Sequence, residues 1–390
     1  MKNDNGFTLI ELVAVIAILA LVTLVAAPNI ANMMRKNETK EKNLYDDVLK
    51  DAAERYYINN GNRLPNFIIG ETIFIQLRRL VDESLITDGS FIEKIDNSYS
   101  LDRFMKLTRL NDGTLDISVA TTNPTYFYLS LIAPTNVVSS KTVSGLHKIN
   151  SIKTEKSNTD SYYYYSGPSE EVNNWVVFDN KMWRIVKINS NGSMEIILVD
   201  NSAGLSGPYD QESSRPFGEY TFNNDYEEQM TSYLNQINES SLKELLTRWY
   251  LASYPTKFTS VIDTKNICIG KIGEDLRDAA SLATEECSTL SKRPEKISSI
   301  RVSDLVLAST DASCVSLGGS GCRSKNYLVD GSNPYLSVTA SYGDSSIVYD
   351  SNLTKHIASA SLSVRPVITL KNSLLSTGGS GTRLDPYIIY

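Results

Sequence analysis

Apolar residues fill nearly every position from Phe7 to Ala27, and Glu11 is the one charged residue among them. About 20 such positions suffice to cross a bilayer as a helix. An ionised carboxylate at that depth costs roughly 2.5–3.5 kcal/mol on insertion scales, so Glu11 requires a partner or a purpose. Beyond Pro28 the pattern changes: Ile30, Met33, Met34, Leu44, Val48, Ala52 and Tyr56 recur near helical spacing. Arg35, Lys36, Glu38, Lys40, Glu41 and Lys42 occupy the other positions, and Asn59, Asn60 and Gly61 read as a stop. The prediction is one helix of roughly 50 residues and about 75 Å, transmembrane over 7–28 and amphipathic over 29–60.

The rest of the chain alternates differently. "TIFIQLRRLVDESLI" reads as a short helix, while "GTLDISVATT" and "TYFYLSLIA" carry the β-branched and aromatic content of strands, with a hairpin turn at "LNDG". Residues 61–135 are therefore predicted to form a small α/β head. Residues 136–170 are rich in Ser, Thr and Lys and read as an exposed linker. It ends at "YYYY", 162–165, a strand that shows tyrosines on both faces. Over 171–390 a separate α+β domain is expected. There "WVVFDNKMWRIVKINSNGSMEIILVD" gives strand, turn, strand, turn, strand, with Trp175 and Trp183 in the core. "EEQMTSYLNQINESSLKELLTRWYLASY" is helical, and "ASLSVRPVITLKN" is a final strand. The fold class is α+β.

Composition narrows the function. The net charge of −7 argues against a general nucleic-acid binder, so no nucleic-acid partner is expected. The 22 tyrosines against 2 histidines suit contact surfaces better than acid–base or metal chemistry, and His147 and His356 are expected at the surface. Cys268, Cys287, Cys314 and Cys322 form no CxxC and adjoin neither histidine, which disfavours zinc. Four cysteines allow three pairings. The local one, Cys268–Cys287 with Cys314–Cys322, closes the shortest loops and implies an oxidising, extracytoplasmic compartment. No GxGxxG, GxxxxGK[ST], GxSxG or HExxH occurs. No catalytic residue, metal or cofactor is predicted, and an enzyme is not expected.

Gly6 followed by "FTLIELV" resembles the class III leader and mature N-terminus of type IV pilins and pseudopilins. The resemblance implies a leader over 1–6, cut after Gly6 by a prepilin peptidase, with the new amine of Phe7 methylated. It also gives Glu11 a role in assembly. The amine of one subunit and Glu11 of its neighbour, ~4 Å apart, attract by about 4 kcal/mol at an effective dielectric of about 20. Pro28 falls where pilins commonly carry a helix-loosening proline. Other pilin subunits would be the partners. The protein would be a single-pass membrane protein, held through 7–27, and then part of a cell-surface filament. Lys2 alone on the leader side, against Arg35, Lys36, Lys40 and Lys42 beyond the apolar run, opposes that orientation. The cysteines favour it, and large following domains translocate largely regardless of such charges.

Trp175, Trp183, Arg365 and Pro366, in "WVVFDNKMWRIV" and "SVRPVITL", resemble a poorly characterised surface domain of Gram-positive bacteria. Its layout is similar to C-type-lectin and formylglycine-enzyme folds. The expected function is a structural pilin-like subunit, minor or at the tip, whose C-terminal domain contacts an unknown surface ligand. The alternative is a pseudopilin of a type II secretion or DNA-uptake system. A tethered enzyme would need a nucleophile that the sequence does not display.

Overall fold

The computed structural model describes residues 9–390 apart from 62–63, 65–66, 87–99, 156–157, 200–219, 222–240, 255–260, 269–270, 273–285, 287–289, 315–316, 318–319, 333, 342–346 and 358–360. The chain divides into two compact units, Met1–Asn59 with Ile68–Thr122 and Asn60–Phe67 with Asn123–Tyr390.

In the first unit, helix α1 runs unbroken for 51 residues, Leu9–Asn59, and continues through Pro28. Proline removes one helical hydrogen bond there without ending the helix. Among the described residues no helix is long and apolar enough to cross a membrane. Of the crossing expected over 7–27, residues 7 and 8 and the side chains from 21 onward lie outside the described set.

The buried stripe of α1 is Tyr45, Leu49, Ala52, Ala53 and Tyr56, spaced as one helical face. Leu44 and Val48, expected on that face, remain 69% and 43% exposed. Each precedes a buried residue by one position, which is about 100° of helix rotation. The apolar list read from the sequence thus merges two faces, and of its members whose side chains are described only Ala52 and Tyr56 belong to the buried one.

Against this stripe lies an antiparallel sheet in the order β1 (Thr72–Gln76), β2 (Phe104–Arg109), β3 (Leu115–Val119). Ile73, Ile75, Met105 and Leu107 are fully buried. Arg109 donates to the Tyr57 hydroxyl at 2.8 Å, tying β2 to α1. The hairpin at "LNDG" forms as expected: Gly113, at φ 85°, donates its N–H to Leu110. "TIFIQLRRLVDESLI" is a strand before it is a helix. Its alternating β-branched half pairs with β2, and only Leu77–Asp82 (α2) is helical. "TYFYLSLIA" is no strand. Phe127–Leu131 is a short helix of the second unit, and the first unit ends at Thr122 rather than at 135.

The second unit is organised by a nine-stranded sheet. Its members include β4 (Val137–Val138), β5 (Gly145–Glu155), β6 (Asn158–Ser166), β7 (Trp175–Phe178), β8 (Lys181–Ile188) and β9 (Met194–Leu198). From one side the order is Ile297–Ser298, Val367–Leu370, β9, β8, β6, β5, β4. β7 pairs with β8, and Tyr387–Ile388 lies parallel on β7 in the register Tyr387↔Val176.

The stretch 136–170 is therefore not a linker, since it supplies three strands of the sheet. Thr and Tyr fit a pleated, half-buried surface, and Ser or Lys is tolerated on an open face, so composition alone misreads such strands. In "YYYY" Tyr162, Tyr164 and Tyr165 are buried and Tyr163 is half-buried. Asp179 and Asn180, at φ 52° and 56°, turn β7 into β8, and Gly192 at φ 83° completes the β8–β9 turn. Trp183 is fully buried in the main core, and Trp175 belongs to a smaller cluster with Val177, Met182 and Val199. His147, expected at the surface, is buried on β5 and stacks on Tyr164 at 5.3 Å.

Candidate functional site

Strands β8 and β9 are buried along nearly their whole length, yet each carries a charge, Lys187 and Glu195, paired in register. A charge taken from water costs several kcal/mol unless matched. Here the match is dense. Lys187 Nζ lies 3.1 Å from Glu195 Oε2 and 3.4 Å from Asp304 Oδ1, over the Tyr162 ring at 5.5 Å. Asp304 sits in the first turn of the helix Val302–Leu307, and Arg301 occupies the position just before it, with extended backbone. Arg301 grips Asp304 through Nε to Oδ2 and Nη2 to Oδ1, both 2.9 Å. Lys265 donates to the other oxygen of Glu195 and to Asn189 Oδ1 at 3.0 Å.

Burial pushes the Glu195 carboxyl up, with Lys265 opposing. Burial works against the Arg301 guanidinium, yet the Asp304 carboxylate carries it above its ordinary value. Behind the cluster, Glu286 is fully buried. Its Oε1 accepts from Ser303 N–H at 3.1 Å and Thr339 Oγ1 at 2.6 Å, and its Oε2 from Ser303 Oγ. Burial pushes this carboxyl up to about 7 against the pull of those donors. Glu195, Lys265, Lys296, Arg301 and Asp304 line a small recess of about 30 Å³, walled on its apolar side by Ile297 and Val367.

A second buried cation, Arg184, has its guanidinium between Trp175 at 4.4 Å and Tyr327 at 4.5 Å. Its donors reach Asn174 Oδ1, Ser169 and Val172 O. Burial lowers it to about 9. Every contact is internal, so its work is to fix the turn before β7. Among the described residues no group of three or more His, Cys, Asp or Glu is placed to hold a metal.

At the other end of the chain, α1 is already helical at Leu9, and its side chains from Leu9 to Leu19 are exposed except Glu11, which is outside the described set. Residues 1–27 match the prokaryotic N-terminal methylation motif. This match supports a type IV pilin-like or pseudopilin precursor, one that a prepilin peptidase processes and that assembles with other pilin subunits. The methylation motif covers the leader and the apolar run and stops short of Pro28. No curated protein and no solved structure matches the chain, and nothing supports the resemblance drawn for its C-terminal region.

Of the residues singled out from the sequence, Gly6 and Phe7 precede the described residues. For Glu11 and Pro28 the helical backbone is described and the side chains are not. Cys314 and Cys322 form a disulfide with Cα atoms 4.3 Å apart. It is buttressed by Asn326, which donates to Cys322 O at 2.8 Å and Leu305 O at 2.7 Å. Cys287 and the side chain of Cys268 lie outside the described residues. Sequence reasoning missed the ion cluster. Its signal is visible in hindsight as lone charges inside apolar strands, Lys187 in "WRIVKI" and Glu195 in "MEIIL".

Proposed function

We propose that the chain is a type IV pilin-like structural subunit, cleaved after Gly6, methylated at Phe7 and assembled into a cell-surface filament. The observation that carries this reading is the methylation motif leading into one continuous helix that ends on a globular unit. Residues 7–27 hold the precursor in the membrane, and the amine of Phe7 pairs with Glu11 of a neighbouring subunit. The second unit is large beside the sheet-and-helix head. Such bulk at every helical repeat would crowd a filament, which supports a minor or tip position with the C-terminal unit facing outward to make contact. The protein acts structurally, without catalysis of its own.

The test is mass analysis of the N-terminal peptide from the native protein, alongside incorporation of Glu11→Ala. A methylated Phe7 terminus is expected, with Glu11→Ala processed normally but absent from sheared filaments. An intact Met1 terminus, or normal incorporation of Glu11→Ala, would overturn the reading.

A further inference from the structure

We propose that Lys187 and Asp304 join in a covalent isopeptide bond, formed once per molecule within the folded second unit, with Glu195 carrying the protons. The bond is a modification of the chain by itself, and it goes beyond the pilin-like reading without resting on it.

The three side chains come from distant stretches of sequence and meet in the core. Lys187 Nζ lies 3.1 Å from Glu195 Oε2 and 3.4 Å from Asp304 Oδ1, and the side chains of Lys187, Glu195 and Asp304 are 4%, 9% and 4% exposed. An amine and a carboxyl held this close in a rigid frame react as if at very high concentration, so the entropic part of the barrier is already met. Kept as ions, Lys187 and Asp304 bear the cost of desolvation, and condensation removes both charges.

The surroundings serve each step. Burial disfavours the ammonium form of a lysine and so frees a nucleophilic amine. Burial also pushes the Glu195 carboxyl up, which lets Glu195 take the proton that Lys187 gives up. Arg301 holds both oxygens of Asp304 at 2.9 Å and places donors where negative charge builds during attack. The same grip favours the carboxylate, and the proton delivered from Glu195 is what turns an Asp304 oxygen into a leaving group. Lys187 Nζ bonds Asp304 Cγ. One proton from Nζ and one from Glu195 pass to that oxygen, its bond to Cγ breaks, and it leaves as water. The amide keeps one N–H for Glu195, now a carboxylate that Lys265 balances. The balance needs no oxidant, reductant or further reactant. The recess of about 30 Å³ bordered by Glu195, Lys265, Arg301 and Asp304 has room for the water released. The product ties β8 to the helix Val302–Leu307 across a separation of 117 residues.

The experiment is intact-mass analysis and peptide mapping of the full chain purified in detergent, unfolded and with disulfides reduced. Once any N-terminal cleavage or methyl group is counted, the chain is expected to be lighter than its sequence by one water. A branched peptide should join the segments that carry Lys187 and Asp304. Lys187→Arg and Glu195→Gln should each abolish the loss, the first by removing the amine and the second by removing the proton carrier. Lys181→Arg, on the same strand, should keep it. A parent chain at its full sequence mass, or a water loss that maps to other residues, would overturn the bond. A joined peptide that persists in Glu195→Gln would overturn the role of Glu195. The parent mass decides the bond even where a variant fails to fold, and either result leaves Phe7 methylation and Glu11-dependent assembly to their own tests.

Discussion

Replacing Glu286 by Gln should make the second unit insensitive to a titration that now weakens it as pH rises. The folded carboxyl is pushed from 4.5 up to about 7 by burial. The unfolded chain releases this proton from about pH 4.5 upward, whereas the folded protein holds it until about 7. Between those values the native state binds more protons, so stability falls as pH increases. Every tenfold difference in proton affinity between the two states is worth about 1.4 kcal/mol, and integrating from about pH 5 to about pH 8 gives a loss of about 2–3 kcal/mol from this group. Glutamine is the suitable probe. Its carbonyl can accept from Ser303 N–H and Thr339 Oγ1, and its amide can donate to Ser303 Oγ. All three tryptophans, Trp175, Trp183 and Trp249, belong to the second unit, so their fluorescence during urea unfolding reports on it alone. The unfolding free energy of Glu286→Gln minus that of the parent should rise by about 2–3 kcal/mol from about pH 5 to about pH 8. Taking the difference cancels other titrations, including His147, which burial holds below its ordinary value and which acts with the opposite sign. Parallel curves for the two proteins would refute the assignment of a buried, largely protonated Glu286.

Leu49→Ala should cost about 2–5 kcal/mol in the first unit, since Leu49 is fully buried, while Leu44→Ala should change stability by less than about 0.5 kcal/mol. Thermal unfolding of both variants checks the assignment of the two helix faces. Removing the Cys314–Cys322 bond with a double Ser variant opens a loop of sequence separation 8 and should cost about 2–3 kcal/mol, measurable by urea unfolding against the oxidised parent. Gly379→Ala should destabilise by more than about 1 kcal/mol. Its φ is 96°, and an added Cβ would lie 2.2 Å from Pro386 O. A neutral Gly379→Ala would refute the tight approach of these two segments.

Local signals with steep chemistry were legible in the sequence. The long helix was legible from an apolar run and its polar stop, and the β7–β8–β9 hairpins from Asp179-Asn180 and the Asn-Gly turn. The Cys314–Cys322 pair was legible from proximity alone. What failed depended on distant partners. "TYFYLSLIA" has strand-like residues, yet its Phe127 N–H bonds Leu374 O, and the segment coils where that contact places it. The apolar positions of α1 could not be divided between two faces without the sheet that covers one of them. The ion cluster unites residues from 187 to 304, and no single stretch announces it, because each charge looks like a solvated one until its strand is seen buried on both sides.

The parallel pairing of Tyr387–Ile388 on β7 has a consequence for biosynthesis. When "WVVF" leaves the ribosome, the strand that will cover its outer edge is still some two hundred residues from being made. Local hairpins with β8 and β9 can close early, but that flank must wait, unpaired and apolar, until translation is complete. Contacts of such long range slow folding, and an uncovered hydrophobic edge invites association with other chains. A nascent or truncated chain lacking residues 387–388 would therefore be a substrate for chaperones, and the second unit cannot close until those last residues have been made.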